Sequence, residues 1–247
     1  MSIKKAKAVS EFKLIFFCCC NFVTVNASAQ IFHEECFPKY SYYLSEVFDM
    51  TWKQPQNFIW EKIETNTWTE GRIGRRSVYV GSMQSKDGNC LILYPECISV
   101  MFNSLGNPDY PEGDPIFAQR QLVYDMREAL DKDFSIDSIP ADLGQYIVTL
   151  VGRKALFKAD TVFVVQIPLK MPYREKYTYC TGVYACKHGR PSITFKCFFT
   201  DKGKANDKKY LAEFYKTIEY RRNRKWRYDH EKSLRTIYKI GYMKIEK

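Results

Sequence analysis

The sequence lacks the short motifs by which several large enzyme classes are recognised. It contains no G-x-S-x-G nucleophile elbow, no H-E-x-x-H zinc motif and no P-loop. Histidine, the commonest proton-transfer residue near pH 7, occurs only at His33, His188 and His230. These absences exclude enzymes that carry those motifs, and they leave room only for a catalytic site assembled from scattered residues.

The apolar run near the N-terminus is too short to cross a membrane. It extends from Leu14 to Val25, contains Asn21, and falls well short of the roughly 20 apolar residues that a spanning helix needs. Four lysines precede the run and Ala27-Ser28-Ala29 follows it, an order typical of a cleaved secretory signal. We expect cleavage after Ala29, which makes residues 1–29 a signal peptide and leaves the mature chain without a transmembrane segment.

The step from Ala27-Ser28-Ala29 to Gln30 resembles the signals of exported Bacteroidetes proteins, in which a small-x-small motif is often followed by Gln. This resemblance covers the signal alone and implies a periplasmic or extracellular protein. A lipoprotein would use Cys20 as its acylated residue, but Cys18 and Cys19 stand where small residues are wanted. We therefore expect an unlipidated mature chain, residues 30–247, that folds as a single domain.

The stretch Tyr177–Tyr220 carries the clearest local signals and predicts a strand, a turn, a strand and a helix. In the second strand the apolar residues alternate with polar ones, which indicates one buried and one wetter face. The alternating apolar residues are Ile193, Phe195, Cys197 and Phe199. A helix stripe follows, formed by Leu211, Phe214, Tyr215 and Ile218, with Asn206 or Asp207 as its N-cap.

A two-residue loop at His188 and Gly189 fixes the register expected for this hairpin, because Gly189 supplies the positive φ that such turns require. Counting outward from the loop, Tyr184 faces Ile193 and Cys180 faces Cys197. Two cysteines opposite each other at a non-hydrogen-bonded position approach closely enough for a disulfide. The register therefore predicts a Cys180–Cys197 disulfide on the core face.

Six of the nine cysteines remain after the signal is removed, an even number in an oxidising compartment. Only the Cys180–Cys197 pair has a register argument, so the pairing of Cys36, Cys90, Cys97 and Cys186 stays open. A zinc site is the alternative for these residue types. It would use Cys180, Cys186, His188 and Cys197, but they lack the close C-x-x-C spacing of zinc sites, so no metal is expected.

Two further groups of residues resemble chemical sites, but structural roles are the better interpretation of both. Cys186 and His188 resemble a nucleophile and its base, but a turn at His188 swings the imidazole away from the strand. The acidic run 131–137 resembles the start of a calcium loop, but Ile136 stands where the sharp turn requires Gly. We expect neither a cofactor nor a recognisable catalytic residue.

Elsewhere the chain alternates strand-like runs with helical patterns. Residues 57–103 predict an antiparallel meander of three or four strands, with a hairpin at Asp87-Gly88. Asp114 and Pro115 mark the start of a helix that extends to about Lys132. The region 135–159 favours a helix over a strand, and Thr161–Leu169 predicts a central strand. The predicted fold is α+β, an antiparallel sheet (meander plus C-terminal hairpin) with helices packed on one face.

The formal net charge of +10 is concentrated at the C-terminal end. Residues 201–247 carry 15 basic and seven acidic groups, whereas residues 30–200 are nearly neutral. Within this end, one dense cluster is a candidate anion-binding site. It consists of Arg221, Arg222, Arg224, Lys225, Trp226 and Arg227.

These features support two hypotheses of function. The first is an exported, non-enzymatic binding or interaction module, whose partner is an anionic envelope component or a protein and not a nucleic acid, which exported proteins rarely meet. The alternative is an envelope hydrolase whose site is not recognisable from sequence. Fold class does not choose between them.

Overall fold

The protein was analysed as a computed structural model that describes residues 37–61, 67–68, 77–95, 115–136, 138–223, 225–229, 231–232 and 235–236. Four α-helices have both ends within these ranges. They are α1 (Phe37–Val47), α2 (Pro115–Leu130), α3 (Asp201–Lys204) and α4 (Asp207–Tyr215). The strands are β1 (Met50–Trp52), β2 (Phe58–Glu61), β3 (Thr67–Trp68), β4 (Ser77–Ser85), β5 (Cys90–Pro95), β6 (Ile147–Val151), β7 (Thr161–Ile167), β8 (Tyr179–Cys186), β9 (Ile193–Phe199) and β10 (Ile218–Tyr220).

The strands form antiparallel sheets, and the predicted α+β class is confirmed. The large sheet has the order β2-β4-β5-β9-β8-β7-β6, and β3 also pairs with β4. Strands β1 and β10 pair separately as a two-stranded sheet. The predicted meander and the C-terminal hairpin thus join into one sheet, because β5 of the meander pairs with β9 of the hairpin.

Helices cover both faces of the large sheet, so the prediction that they pack on one face is wrong. One core contains buried residues of α1 and α4 together with Ile92, Phe195 and Phe199. The opposite core contains buried residues of α2 together with Leu91 and Phe198. Strands β5 and β9 are therefore apolar on both faces, which explains why Phe198 breaks the alternation in β9. Because a strand between two cores has no wet face, its polarity pattern cannot show which side a helix covers.

The register of the β8–β9 hairpin differs by one residue from the predicted one. Val183 faces Phe195 and Ala185 faces Ile193, and residues 187–192 connect the two strands, so the connection is longer than the predicted two residues. Gly189 has the positive φ expected of it, 70°, in a turn closed by a hydrogen bond from Arg190 N to Lys187 O. Arg190 leaves the ladder because its side chain turns inward to the buried carboxylate of Asp49.

A shift of one residue moves every side chain of a strand to the other face of the sheet. Cys180 consequently lies in the core under α2, whereas Cys197 lies in the core under α1 and α4. Neither forms a disulfide, and the same holds for Cys90 and Cys186. The predicted Cys180–Cys197 disulfide is therefore wrong, because the sheet itself separates the two sulfur atoms.

The same register buries the lysine of β9, which the alternation had placed on a wetter face. Lys196 is 0% exposed, and its ammonium group bonds the carboxylate of Asp125 on α2. The ammonium also donates to the hydroxyl of Tyr184 at 2.5 Å, and that hydroxyl donates to the same carboxylate. The other carboxylate oxygen of Asp125 accepts a hydrogen bond from Gln121 Nε2 at 3.2 Å. A buried charge is tolerated only with such partners, so this network fixes α2 against the sheet.

Gly182 makes room for this network. It faces Lys196 across the ladder, and the ring of Tyr184 folds over it. A Cβ atom at this position would lie 2.7 Å from Tyr184 Cε2 and 2.8 Å from Ile167 Cδ1, closer than real Cβ contacts allow. The glycine is therefore required by the close approach of the aromatic ring.

Several local predictions agree with the structure. Pro115 is the first residue of α2, which ends at Leu130, and Gly88 has a φ of 71° in the hairpin between β4 and β5. Strand β7 pairs on both sides, with β6 and β8. Asn206 is the N-cap of α4, which stops at Tyr215, so that Ile218 belongs to β10 and not to the helix stripe.

The helix favoured for region 135–159 is wrong. Pro140 precedes a short 3₁₀ turn, Ala141–Tyr146, and the chain then forms β6. The predicted signal peptide, the predicted strand after Pro95 and the C-terminal residues after Thr236 lie outside the described residues. Among the helices that the structure describes, none is long and apolar enough to cross a membrane.

The buried network predicts a non-additive pair of substitutions. Asp125→Ala leaves the Lys196 ammonium buried without a counter-charge and is expected to lower the free energy of unfolding by about 3–5 kcal/mol. Asp125→Leu combined with Lys196→Met removes both charges, so it is expected to cost less than the single change. Urea denaturation of both variants measures this difference. A double variant less stable than Asp125→Ala would contradict the network.

Candidate anion-binding surface

The basic segment, residues 221–227, leaves the body of the protein directly after β10. Arg221, Arg222, Lys225 and Arg227 are exposed, and Arg224 lies outside the described residues. Strand β10 holds the start of the segment by pairing with β1, and Arg221 N donates to Asp49 O at 2.7 Å. These four charged side chains of the candidate anion-binding site therefore face solvent.

Arg190 in the hairpin loop fixes the base of the segment. Its Nε and Nη2 atoms donate to Asp49 Oδ2 at 2.9 and 2.6 Å. Nη2 also donates to the backbone oxygen of Asn223, at 2.6 Å, inside the basic segment. Arg190 is 6% exposed and Asp49 is 1% exposed, so this ion pair is shielded from water. Because one guanidinium joins the hairpin, the α1–β1 turn and the segment, the segment has a defined path.

Trp226 packs on the same guanidinium. Arg190 Cζ lies 5.3 Å from the centre of the indole ring, within the range of a cation–π contact. The ring is half-buried, although its sequence neighbours are all charged. The planar guanidinium of Arg190 provides the surface against which the indole packs. Near the ring, Lys225 N donates to the side-chain Oδ1 of Asn223 at 3.1 Å, and this bond helps to shape the turn.

The geometry around Asp49 explains how a carboxylate reaches Arg190. Asp49 has a φ of 54°, a left-handed conformation that Asp adopts more readily than most residues. This conformation lies between the end of α1 and the start of β1, where the chain must reverse direction. Nearby, Tyr220 donates its hydroxyl to Pro191 O at 3.1 Å, and burial raises the pKa of this phenol well above its ordinary value. Tyr220 therefore stays neutral beside the ion pair.

Cations next to the segment form ion pairs, whereas Arg221, Arg222 and Lys225 form none with the acidic residues that the structure describes. Lys158 pairs with Glu219 at 2.5 Å, and Lys187 lies 3.6 Å from Asp160. Within the described residues, no acidic side chain lies within 4 Å of the side-chain nitrogen atoms of Arg221, Arg222 or Lys225. These three side chains form an exposed group of uncompensated positive charge.

The structure does not bring together the residues of the alternative zinc and Cys-His sites described from the sequence. Cys180 and Cys197 lie in different cores, so the four zinc candidates cannot converge on one ion. Cys186 is buried and its thiol contacts Thr161 O at 3.4 Å, whereas His188 is exposed in the loop. Asp133 of the acidic run forms an ion pair with Arg127, and Asp137 lies outside the described residues. No group of three or more potential metal ligands was found in the part of the chain that the structure describes.

The buried thiols are not set up for nucleophilic chemistry. Burial raises the pKa of Cys90 well above its ordinary value, and neighbouring Cys197 raises it further. Burial also raises the pKa of Cys197, against a small opposing effect of the Lys196 charge. The thiolate is the reactive form of cysteine, so both residues are packing groups at neutral pH.

Sequence reasoning missed Asp49 and Arg190, because neither carries a local signal. They are 141 residues apart, and an arginine in a turn ordinarily indicates a solvated loop.

No family model matches this chain, and no curated protein or solved structure is significantly similar to it. Its function is therefore inferred from the geometry of its own residues.

Arg190→Ala tests the base of the segment. It leaves the Asp49 carboxylate buried and unpaired, so the free energy of unfolding in urea is expected to fall by about 3–5 kcal/mol. The fluorescence of Trp226, taken as the difference from a Trp226→Phe variant, is expected to shift to longer wavelength as the ring becomes wetter. Arg222→Ala is the control, since an exposed change alters stability by at most about 0.5 kcal/mol. Equal stability of Arg190→Ala and the control would show that Arg190 is not an anchor.

Proposed function

We propose that the protein is an exported, non-enzymatic binding module that recognises an anionic polymer through the basic segment. The observation that carries this proposal is the exposed, uncompensated charge of Arg221, Arg222 and Lys225 on a base held by Arg190. A cluster of like charges is costly to the folded chain unless water or an anionic partner screens it. A fixed cluster of this kind is suited to a partner that supplies several negative charges along its length.

Preorganisation favours binding at this place over binding by a loose charged tail. Association costs conformational freedom at the interface, and a chain path that is already fixed loses less of it. The hydrogen bond from Arg190 to Asn223 O and the contact with Trp226 both hold the segment in place. Arginine adds specificity, because its planar group bonds carboxylate, sulfate or phosphate oxygens in pairs.

An acidic glycan fits the proposed location better than nucleic acid. A protein of the envelope or the exterior meets acidic polysaccharides, and these carry repeated carboxylate or sulfate groups. Trp226 is half-buried, so part of its ring remains open to a sugar face beside the charged groups. The partner class proposed is therefore a polyanionic glycan, bound by arginine, lysine and the accessible part of one indole.

Heparin affinity tests this proposal. The protein is expected to bind immobilised heparin at low salt, with an affinity that falls steeply as salt rises, because binding releases counterions. The variant Arg221→Ala, Arg222→Ala, Lys225→Ala is expected to lower the slope of log affinity against log salt by about 2–3, since each lost ion contact removes about one unit. Its melting temperature is expected to stay nearly unchanged, because exposed charges contribute little to stability.

A second triple variant controls for net charge. Lys202, Lys208 and Lys209 are exposed residues of α3 and α4, and their replacement by alanine removes the same charge from a different surface. This control is expected to keep the wild-type salt slope. Equal losses in the two triple variants would reduce the interaction to general charge attraction and would overturn the proposal.

A further inference from the structure

Strand β6 is an edge of the large sheet in the part of the chain that the structure describes, and its own residues include none of those that normally protect an edge. Within the described residues it pairs only with β7. Its five residues, IVTLV, include no charge, proline or glycine. Val148 and Val151 are each 58% exposed, and Thr149 between them is also exposed. Natural edge strands are usually blocked by lysine, proline or a bulge, so an open apolar edge points to a partner strand.

The hydrogen bonds of β6 show which backbone groups face outward. Gly152 N donates to Asp160 O at 3.0 Å, and these residues continue the register in which Val151 faces Thr161. Bonding alternates along an antiparallel ladder, so Val148 and Leu150 bond to β7 while Ile147, Thr149 and Val151 point to the open edge. The N–H of Ile147 is already used, because it donates to Gly144 O. The groups offered to a partner are the C=O of Ile147 and both groups of Thr149 and Val151.

The strand is complementary to itself. Two antiparallel copies related by a two-fold axis at Thr149 place Ile147 opposite Val151 and Val148 opposite Leu150, apolar against apolar on both faces. The two Thr149 residues become a hydrogen-bonded pair and exchange two bonds. Val151 N–H of each copy reaches the Ile147 C=O of the other, which adds two more. This register satisfies the outward N–H groups of Thr149 and Val151 and leaves the occupied N–H of Ile147 undisturbed.

Charges beyond the strand favour the same antiparallel arrangement. Asp142 precedes β6, and Arg153 and Lys154 follow it, all of them exposed. Antiparallel pairing brings the basic end of one strand towards the acidic end of the other. Parallel pairing would set like charges side by side, which is destabilising. We propose that β6 is a homodimer interface, at which two copies of this chain join their sheets through a two-fold axis at Thr149.

The oligomeric state in solution tests this proposal. Sedimentation velocity of the purified protein is expected to show a species of twice the monomer mass. Thr149→Pro removes an outward N–H and places a ring at the edge, but it breaks no bond to β7. It is expected to raise the dimer dissociation constant about tenfold or more through the two lost hydrogen bonds. Thr149→Ala keeps the N–H and is expected to remain dimeric.

A cross-linking pair tests the register and does not depend on the folding of the proline variant. In Thr149→Cys the two new thiols lie on residues whose Cα atoms are about 5.5 Å apart in a hydrogen-bonded pair, within the range of a disulfide. Mild oxidation is expected to link the copies through Cys at this position. In Val151→Cys the thiols are about 13 Å apart along the strands and are not expected to link. The unmodified protein, oxidised in parallel, controls for its own cysteines.

Either of two results would overturn the proposal. A wild-type protein that stays monomeric at concentrations of about 100 μM would show that the edge does not pair with itself, and would leave it to an extended segment of another protein. A dimer in which Val151→Cys links and Thr149→Cys does not would place the axis elsewhere.

Discussion

The structure depends on one constraint: the central strand β9 is buried on both faces and carries a lysine. A buried ammonium group needs a counter-charge, and Asp125 of α2 provides it. The residues around this pair follow from it, since Tyr184 shares the same oxygen atom and Gly182 makes space for the Tyr184 ring. The position of α2 on the sheet is thus set by a polar contact, whereas apolar packing alone would leave it free to slide.

The same hairpin organises the opposite end of the protein. Its register leaves Arg190 in the loop, where the side chain reaches Asp49 and Asn223 O. The proposed anion-binding surface therefore depends on the register of two core strands. A shift of one residue would move Lys196 to the wrong core and would also remove Arg190 from the base of the basic segment.

Local features of the fold could be predicted from the sequence where the signal was local. Pro115 marked the start of α2, Asp87-Gly88 marked a hairpin, and Asn206 marked the start of α4. The hairpin register could not be predicted, because it depends on a contact between residues 141 positions apart. The region of β6 was predicted to be a helix because Pro140 is typical of a helix start. In the structure only a short 3₁₀ turn, Ala141–Tyr146, follows this proline.

The basic segment could be predicted from the charge of the sequence alone. The Arg190–Asp49 ion pair that anchors it could not. An exposed cluster of arginines is visible in any sequence, whereas the carboxylate that holds its base is specified by tertiary structure. Helices on both faces were not predicted for a similar reason. The alternation in β9 indicated one wetter face, but its Lys196 is buried under α2 by the ion pair with Asp125, a tertiary contact.

Non-reducing peptide mapping of the purified, oxidised protein tests the central register most directly. The register places Cys180 and Cys197 in separate cores, so no disulfide joins them and each is expected to react with an alkylating reagent only after the protein unfolds. A peptide pair joined through Cys180 and Cys197 would contradict the register. It would also remove the physical basis for the positions assigned to Lys196 and Arg190.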